Sequence, residues 1–339
     1  LYRQDIQPVW IKVENRSDRY ARLIPWTIDR DYFAPIEVAY MNRKSYSKQG
    51  YEDMQRWFYT NSLDRLVPPG ETRSGLVYTN LMPGTKGFNL TIKQRDNTAD
   101  FTFFLPLPGF VADFMEVDFA NLYEPDEIRD FNLRELKNVL ETELGCCATG
   151  PNGDEVGGPF NAVLVGSGPT VRRAMLRGGW LETSSDSSVA TKARLQRFDG
   201  RRPDAIFSQK RNDGEERIIL HLWLSPWRAR GEMVWLGQVY YAHGKDPWMR
   251  FLESTGATDT EVYKLLASES LIADIDNAQR FLYQNLWYGG SLAHIGHTGG
   301  IPPSTMESPA EIAYVGVYFT RGRRLVAFLS DEARAIDEV

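Results

Sequence analysis

The chain has 339 residues, 42% hydrophobic and 25% charged, with 39 Lys plus Arg against 45 Asp plus Glu, a net charge of -6. That is ordinary for a globular chain of one large or two smaller domains. The acidic balance gives no support to nucleic-acid binding by bulk electrostatics, and no apolar run of about 18 residues is present to cross a bilayer as a helix.

Residues 1–110 predict a β-rich domain. Val9, Ile11 and Val13 alternate with Lys12 and Glu14, the period of a half-buried strand. A second strand is expected over 20–26 and a turn over 29–35. Residues 36–46 are expected as a short helix or an irregular excursion, and 51–59 as a short helix carrying Met54, Trp57 and Phe58 on one side. Pro68-Pro69-Gly70 makes a turn, and strands follow over 75–79, 88–94 and 100–105. Short strands separated by Gly, Pro and Asn turns predict a β-sandwich. Pro106 and Pro108 close it, because proline cannot donate to a ladder.

Residues 111–158 are expected to form a connector and a helix from Pro125-Asp126 to about Leu144. The helix carries Phe131, Leu133, Leu136, Val139 and Leu140 at helical spacing. A Gly-rich loop is expected over 149–159. The remainder, 159–339, predicts an α/β domain with a mixed sheet and covering helices, so the whole is α+β. Residues 161–165 are apolar throughout, as for a strand covered on both faces. Gly166-Ser167-Gly168-Pro169 then turns into a helix with Pro169 at its first helical position, ended by Gly178-Gly179. The turn lacks the third spaced glycine of a dinucleotide fingerprint and the lysine of a P-loop. A Ser-rich, then helical stretch is expected over 184–194, a strand over 205–210, a turn at 212–214 and a short helix over 261–266. Residues 272–288 predict a longer helix, capped by Asp274 or Asp276. Strands follow over 291–298, 313–319 and 325–329, and the charged tail from 331 is expected to fray.

Residues 217–227 and 232–243 predict a long hairpin. With the turn at 228–231 and Trp227 opposite Glu232, Leu220 faces Val239, Leu222 faces Gly237 and Leu224 faces Trp235. His221 then faces Gln238, Trp223 faces Leu236 and Ile219 faces Tyr240. A slip by one residue would bury the polar set, so the pattern selects this register. Arg217, His221, Trp223, Gln238 and Tyr240 share the second face. They are candidate ligand- or partner-binding residues, weighed against a second surface covered from within the domain. The stripe of the 272–288 helix suits the leucine face, which would leave His221 turned toward a groove or a partner.

Other chemistry is sparse. His221, His243, His294 and His297 do not have the spacing of a chelating set, and His294 and His297 on a strand would point to opposite sides. No metal or other cofactor is expected. No G-x-S-x-G elbow is present. Asp274 and Asp276 suit the start of a helix. Trp180, Trp223, Trp227, Trp235 and Trp248 suit a core or an interface, with a glycan- or headgroup-binding face as the alternative. Cys146 and Cys147 are adjacent, so they are either a pair of thiols or a vicinal disulfide favoured by an oxidising compartment.

Two blocks carry a resemblance. FNAVLVGSG, a helix ending in GGW, HLWLSPW, VWLGQ, IADIDNAQRFLYQNL and VYFTRGRRLVAFLS, in that order after the Cys146-Cys147 pair, resemble the bacterial LssY C-terminal domain family. Leu222 in HLW and Thr320-Arg321-Gly322 depart from the basic residue and the acidic turn of that pattern. VWIKVEN, DRDYFAPIEVAY, VPPGETRSGLVYTN and FTFFLPLPGF resemble the N-terminal part of bacterial envelope lipoprotein-like proteins. The resemblance implies an exported, periplasmic or otherwise extracytoplasmic protein. It would have protein partners in the cell envelope, a structural or binding role, and a membrane tether outside the visible chain. The first residue, Leu1 rather than Met, suits a processed N terminus or a chain whose start is missing. The competing expectation is a hydrolase acting on a phospholipid or another phosphoester. The resemblance transfers no catalytic residues.

Overall fold

A computed structural model describes residues 1, 6–24, 32–81, 86–95, 97–105, 109, 111–153, 156–183, 195–211, 216–243, 271–312 and 316–331. The expectations for 29–31, 184–194, 212–214, 261–266, Trp248 and the tail beyond 331 lie outside these residues. The chain divides into two units, Leu1–Phe110 and Val111–Val339, and the fold is α+β.

In the first unit the alternation in β1 (Ile6–Glu14) buries Val9, Ile11 and Val13. β2 (Ala21–Ile24), α1 (Pro35–Asn42), α2 (Lys48–Thr60), β3 (Leu66–Val67), β4 (Thr72–Asn80), β5 (Lys86–Gln94) and β6 (Asn97–Leu105) follow. β1 and β4 pair antiparallel, and β3-β2-β5-β6 form a second antiparallel sheet. Val9, Ile11, Val13 and Val77 from the first sheet meet Ala21, Leu23, Val67, Phe88 and Leu90 from the second in one apolar layer. Helices α1 and α2 cover the other face of β1–β4, where Val38, Ala39 and Phe58 pack on Ile6 and Tyr78. Ser47 caps α2 by accepting from Gly50 N.

The second unit holds β7 (Arg129–Phe131), α3 (Leu133–Thr142), β8 (Cys147–Thr149), β9 (Val156–Pro159), β10 (Ala162–Val165), α4 (Gly168–Arg177), β11 (Leu181–Glu182) and β12 (Ala205–Arg211). The long hairpin is β13 (Glu216–Ala229) and β14 (Glu232–His243). Then come β15 (Leu271–Asp274), α5 (Ile275–Tyr288), β16 (Leu292–Thr298), β17 (Ala310–Ile312), β18 (Gly316–Phe319) and β19 (Arg324–Leu329). A mixed sheet runs β11-β12-β13-β14-β10-β19-β16, with β7 alongside β13; β10–β19 and β7–β13 are parallel. A smaller sheet has the order β15-β18-β17, and β8 pairs with β9.

The body of the hairpin has the predicted register: Leu220↔Val239, His221↔Gln238, Leu222↔Gly237, Trp223↔Leu236 and Leu224↔Trp235. The leucine face carries α4 and α5, with Val171, Met175, Ala278, Leu282 and Leu286 packed on Leu220, Leu222 and Leu224. The opposite face is covered too. Leu136, Val139 and Leu140 of α3 lie over Trp223 and Leu236. Ile275, Ile312 and Tyr318 lie over Ile219 and Tyr240.

Three local expectations are corrected. The helix of 125–144 starts later: Asn132 accepts from Arg134 N and Glu135 N, while Glu135 reaches back to Asn132 N. This capping box sets the start at Leu133, and residues 129–131 join the sheet. The Gly-rich stretch forms β9 at its end rather than loop throughout. The hairpin turn is tighter than the predicted 228–231, because Ala229 faces Glu232. The difference is absorbed by a bulge: residues 225–227 stand against Val234 alone. Pro226 has no N–H for a ladder, while Ser225 Oγ donates to Val234 O at 2.8 Å and accepts from Trp227 N at 3.3 Å.

Candidate functional site

The alternation of β13 and β14 brings four of the five candidates into contact: Gln238 and Tyr240 bond His221, and the Trp223 ring stands edge-on to it at 6.0 Å. His221 is fully buried, with Nε2 3.0 Å from the Tyr240 hydroxyl and Nδ1 3.4 Å from Gln238 Oε1. Gln238 Nε2 donates to Gly158 O at 2.5 Å. That bond fixes which end of the amide is oxygen, and with it the directions of the others. Gln238 Oε1 can only accept, so Nδ1 of His221 carries the proton. Nε2 must then accept from the Tyr240 hydroxyl. Burial pulls the His221 pKa down to about 3, opposed by the Gln238 bond, so the ring is neutral as these directions require. Burial also raises the Tyr240 phenol well above its ordinary value. An imidazole held neutral beside a protonated phenol is a satisfied structural pair, not a poised base.

Strand β9 closes over this pair. A Cβ on Gly157 would stand 2.4 Å from Gln196 Oε1 and 2.6 Å from Ala148 O, so only glycine lets β9 lie so close. The space left between Gly158, Gln196, Gln238, Tyr240, Ile275 and Ile312 is a cavity of ≈ 10 Å³, about one water molecule. The face that could have lain open is an interior polar layer.

Trp223 is on the same face and also fully buried; its ring stands edge-on to Phe160 at 5.6 Å, and Nε1 donates to Arg201 O at 3.2 Å. Arg217 does not join the others. It is half-buried, and four residues along a strand put it about 13 Å from His221.

The remaining motifs settle into the fold. Trp180, Trp223, Trp227 and Trp235 are buried. His294 and His297 are exposed on β16, and the side chain of His243 lies outside those described. Asp274 caps α5 by accepting from Asn277 N at 2.9 Å, while Asp276 accepts from Thr320 Oγ1 at 2.8 Å and from Arg321 N. At the GSGP turn Ser167 accepts from Thr170 N. The Asp331 carboxylate lies against that first turn, bonded to Thr170 Oγ1 at 2.5 Å and Arg173 Nη2 at 2.7 Å. Cys146 and Cys147 are joined as a vicinal disulfide.

Sequence reasoning missed the groups that organise the polar interior. Asn161 lies just before β10, and its side-chain amide pairs with both backbone groups of Val239, at 2.8 Å each. Arg324 is fully buried and donates to five main-chain carbonyls, those of Leu140, Gly145, Phe160, Gly299 and Gly300. Burial draws its guanidinium down to about 10, opposed by Glu141, so it is charged at neutral pH. Arg201 bonds Asp204, the Tyr123 hydroxyl and Leu224 O, and Asp204 accepts from Leu224 N at 2.7 Å. The signal for Arg324 was an arginine opening an otherwise apolar strand, RLVAFL. Nothing in the sequence names its carbonyl partners.

No family model, curated protein or solved structure was found to match the chain.

Proposed function

We propose that this chain is an extracytoplasmic protein of the bacterial cell envelope, related to the LssY C-terminal domain family, that serves as a structural or binding subunit of a membrane-associated assembly. Its N-terminal unit is of the kind found in envelope lipoprotein-like proteins. The reading rests first on the ordered motif blocks of the sequence. The observation that carries the binding role is on the N-terminal unit, where Trp10, Tyr40, Tyr46, Trp57 and Tyr59 are all more than half exposed. Aromatics with an apolar ring and a polar tip are the residues enriched where proteins associate. The vicinal disulfide suits an oxidising compartment. The competing hydrolase would need His221 or its neighbours to meet a substrate, and those groups are enclosed.

The test is expression of the precursor in its own host with a tag, followed by fractionation, crosslinking and identification of co-purifying proteins. The expected result is an envelope fraction with a specific protein partner, and loss of that partner in the Trp57→Ala/Tyr59→Ala double variant while the variant stays folded. Recovery from the cytosol with the leader uncleaved would overturn the location. Unchanged partners in the double variant would overturn the role given to the exposed aromatics of α2.

A further inference from the structure

The hydrogen bonds around His221 form a directed chain with one donor left over. Tyr240 donates to His221, His221 to Gln238, and Gln238 to the carbonyl of Gly158. The amide of Gly158 donates onward to Gln196 Oε1 at 2.7 Å. That contact fixes the Gln196 amide with its oxygen toward Gly158. Gln196 is 1% exposed, and its Nε2 has no acceptor within reach among the described residues. A buried amide donor without a partner costs about 1–3 kcal/mol. At the other end of the chain, the Tyr240 oxygen donates its one proton to His221 and has lone pairs to spare. Gln196 and Tyr240 both line the same small cavity.

We propose that this cavity is a binding site for a single internal water molecule, which accepts from Gln196 Nε2 and donates to the Tyr240 oxygen. The water closes a ring: Tyr240, His221, Gln238, the backbone of Gly158, Gln196, water, and Tyr240 again. All the bonds run in the same sense, and from Gly158 N–H through Gln196, water, Tyr240 and His221 to Gln238 they form one continuous run in which neighbouring bonds polarise and strengthen one another; at Gly158 the accepting carbonyl and the donating N–H belong to successive peptide groups. The occupant is identified by chemistry and size. It must accept from an N–H and also donate to an oxygen, which excludes a metal cation and an apolar gas. The space of ≈ 10 Å³ matches the roughly 10–15 Å³ one water needs, and the walls of Ile275, Ile312 and Pro159 admit nothing larger. Asn161 also lines the cavity, but its amide oxygen and one amide proton are committed to Val239. The ring ties β9, β13, β14 and the segment around Gln196 together through polar groups alone.

A crystal structure at high resolution, together with NMR of the ¹⁵N-labelled protein, tests this. The expected result is ordered density for one water within hydrogen-bond distance of Gln196 Nε2 and the Tyr240 oxygen. A cross-peak between a long-lived water and the Gln196 side-chain amide should accompany it, with His221 protonated on Nδ1. Gln196→Leu should abolish the bound water and leave the His221 tautomer unchanged, because Gln238 sets it. Tyr240→Phe should abolish the water and likewise leave Nδ1 protonated, because Gln238 Oε1 still accepts from it. A dry cavity in the wild-type crystal, or His221 protonated on Nε2, would overturn the proposal. Those two readings use the wild-type protein and decide the matter even if a variant fails to fold.

Discussion

The two units divide their aromatic and polar groups differently, although the second also exposes Trp287 and Tyr288 and the first also buries Asn15 and Lys86. In the first, apolar surface is left outside: beyond the exposed tyrosines and tryptophans, Phe101, Phe103 and Leu105 line one face of β6 and are each about 40% exposed or more. Their partners in register on β5 are Leu90, Phe88 and Lys86, and Phe88 and Leu90 belong to the core. The four-stranded sheet thus carries its apolar inner face past what the two-stranded sheet covers. In the second unit, many polar groups are taken inside and bonded there, as with His221, Gln238, Asn161, Arg324 and Gln279, whose amide donates to Asn161 O and Arg323 O. A group hidden from water must be given partners by its own chain, so the second unit spends its polar side chains on itself. The first holds unspent surface, and surface is what a partner can use.

The largest test of this contrast is Arg324. Replacing it by Met removes the donor to five main-chain carbonyls, of which those of Leu140 and Phe160 are buried while those of Gly145, Gly299 and Gly300 lie nearer the surface, where water can replace the lost donor. At about 1.5–3 kcal/mol for each bond from a charged donor to a buried carbonyl, the loss in a urea melt should be roughly 3–6 kcal/mol. Arg324→Lys should rescue little, since an ammonium has three donors and no planar fork. A loss below about 1 kcal/mol for Arg324→Met would mean the carbonyls have other partners and the interior is less sealed than described.

Next in size is the pair Leu222→Ala and Trp223→Ala, which probe the two faces of β13. Both residues are fully buried, so each should cost about 2–5 kcal/mol with similar change in the denaturation midpoint. A Trp223 variant that stays stable yet loses a partner would turn the His221 face back into a functional surface.

The body of the hairpin was legible because alternation is a local rule with a global consequence: a slip of one residue would have turned Arg217 toward α4 and α5 and moved Leu222 to the other face. The same held for Val9, Ile11 and Val13, and for the α5 stripe of Ala278, Leu282 and Leu286. What was not legible is what covers a face. Trp223 and His221 alternate correctly whether α3 and β17–β18 lie over them or water does, and no periodicity in β13 carries that information. The start of α3 was misplaced because Pro125-Asp126 and Asn132 both resemble helix starts. Only Asn132 has the glutamate three residues on that completes a capping box. Arg324 and Gln196 find their partners through tertiary carbonyls and amides, which have no signature in sequence.

The sealed interior should also show in its response to acid. In the unfolded chain an imidazole titrates near 6.5; in the fold His221 stays neutral down to about 3. The unfolded form therefore takes up the proton first. The contribution of His221 is full above about pH 6.5 and is lost as pH falls toward 3, at up to about 1.4 kcal/mol per unit. Carboxylates titrate in part of the same range, so the measurement is the difference in slope between wild type and His221→Phe in urea melts from pH 7 to pH 4.5. Equal slopes would show that His221 can reach solvent and be protonated in place.

The smallest effect concerns the hairpin turn, where the bulge and the tight turn compensate. Arg230 and Gly231 both have positive φ, 55° and 81°, as a two-residue type I′ turn requires. Glycine adopts that conformation without penalty, whereas a non-glycine residue there costs about 1–2 kcal/mol. Asparagine tolerates it better, and Asn-Gly is the favoured pair for this turn. Arg230→Asn keeps the backbone N–H that donates to Phe131 O at 3.1 Å and leaves Gly231 N on Asp130 Oδ1 at 3.1 Å. It should therefore stabilise the protein by up to about 1 kcal/mol, read as a small rise in the thermal midpoint. Gly231→Ala should do the reverse by a similar amount. If the turn instead spanned 228–231, with Trp227 opposite Glu232, residues 230 and 231 would be two of four loop positions. Arg230→Asn would then bring no gain, and the three residues 225–227 would pair one for one with 232–234. A stabilised Arg230→Asn together with slow amide exchange at Trp227 would confirm both halves of the compensation, since only the bulge gives that amide the Ser225 oxygen as its acceptor.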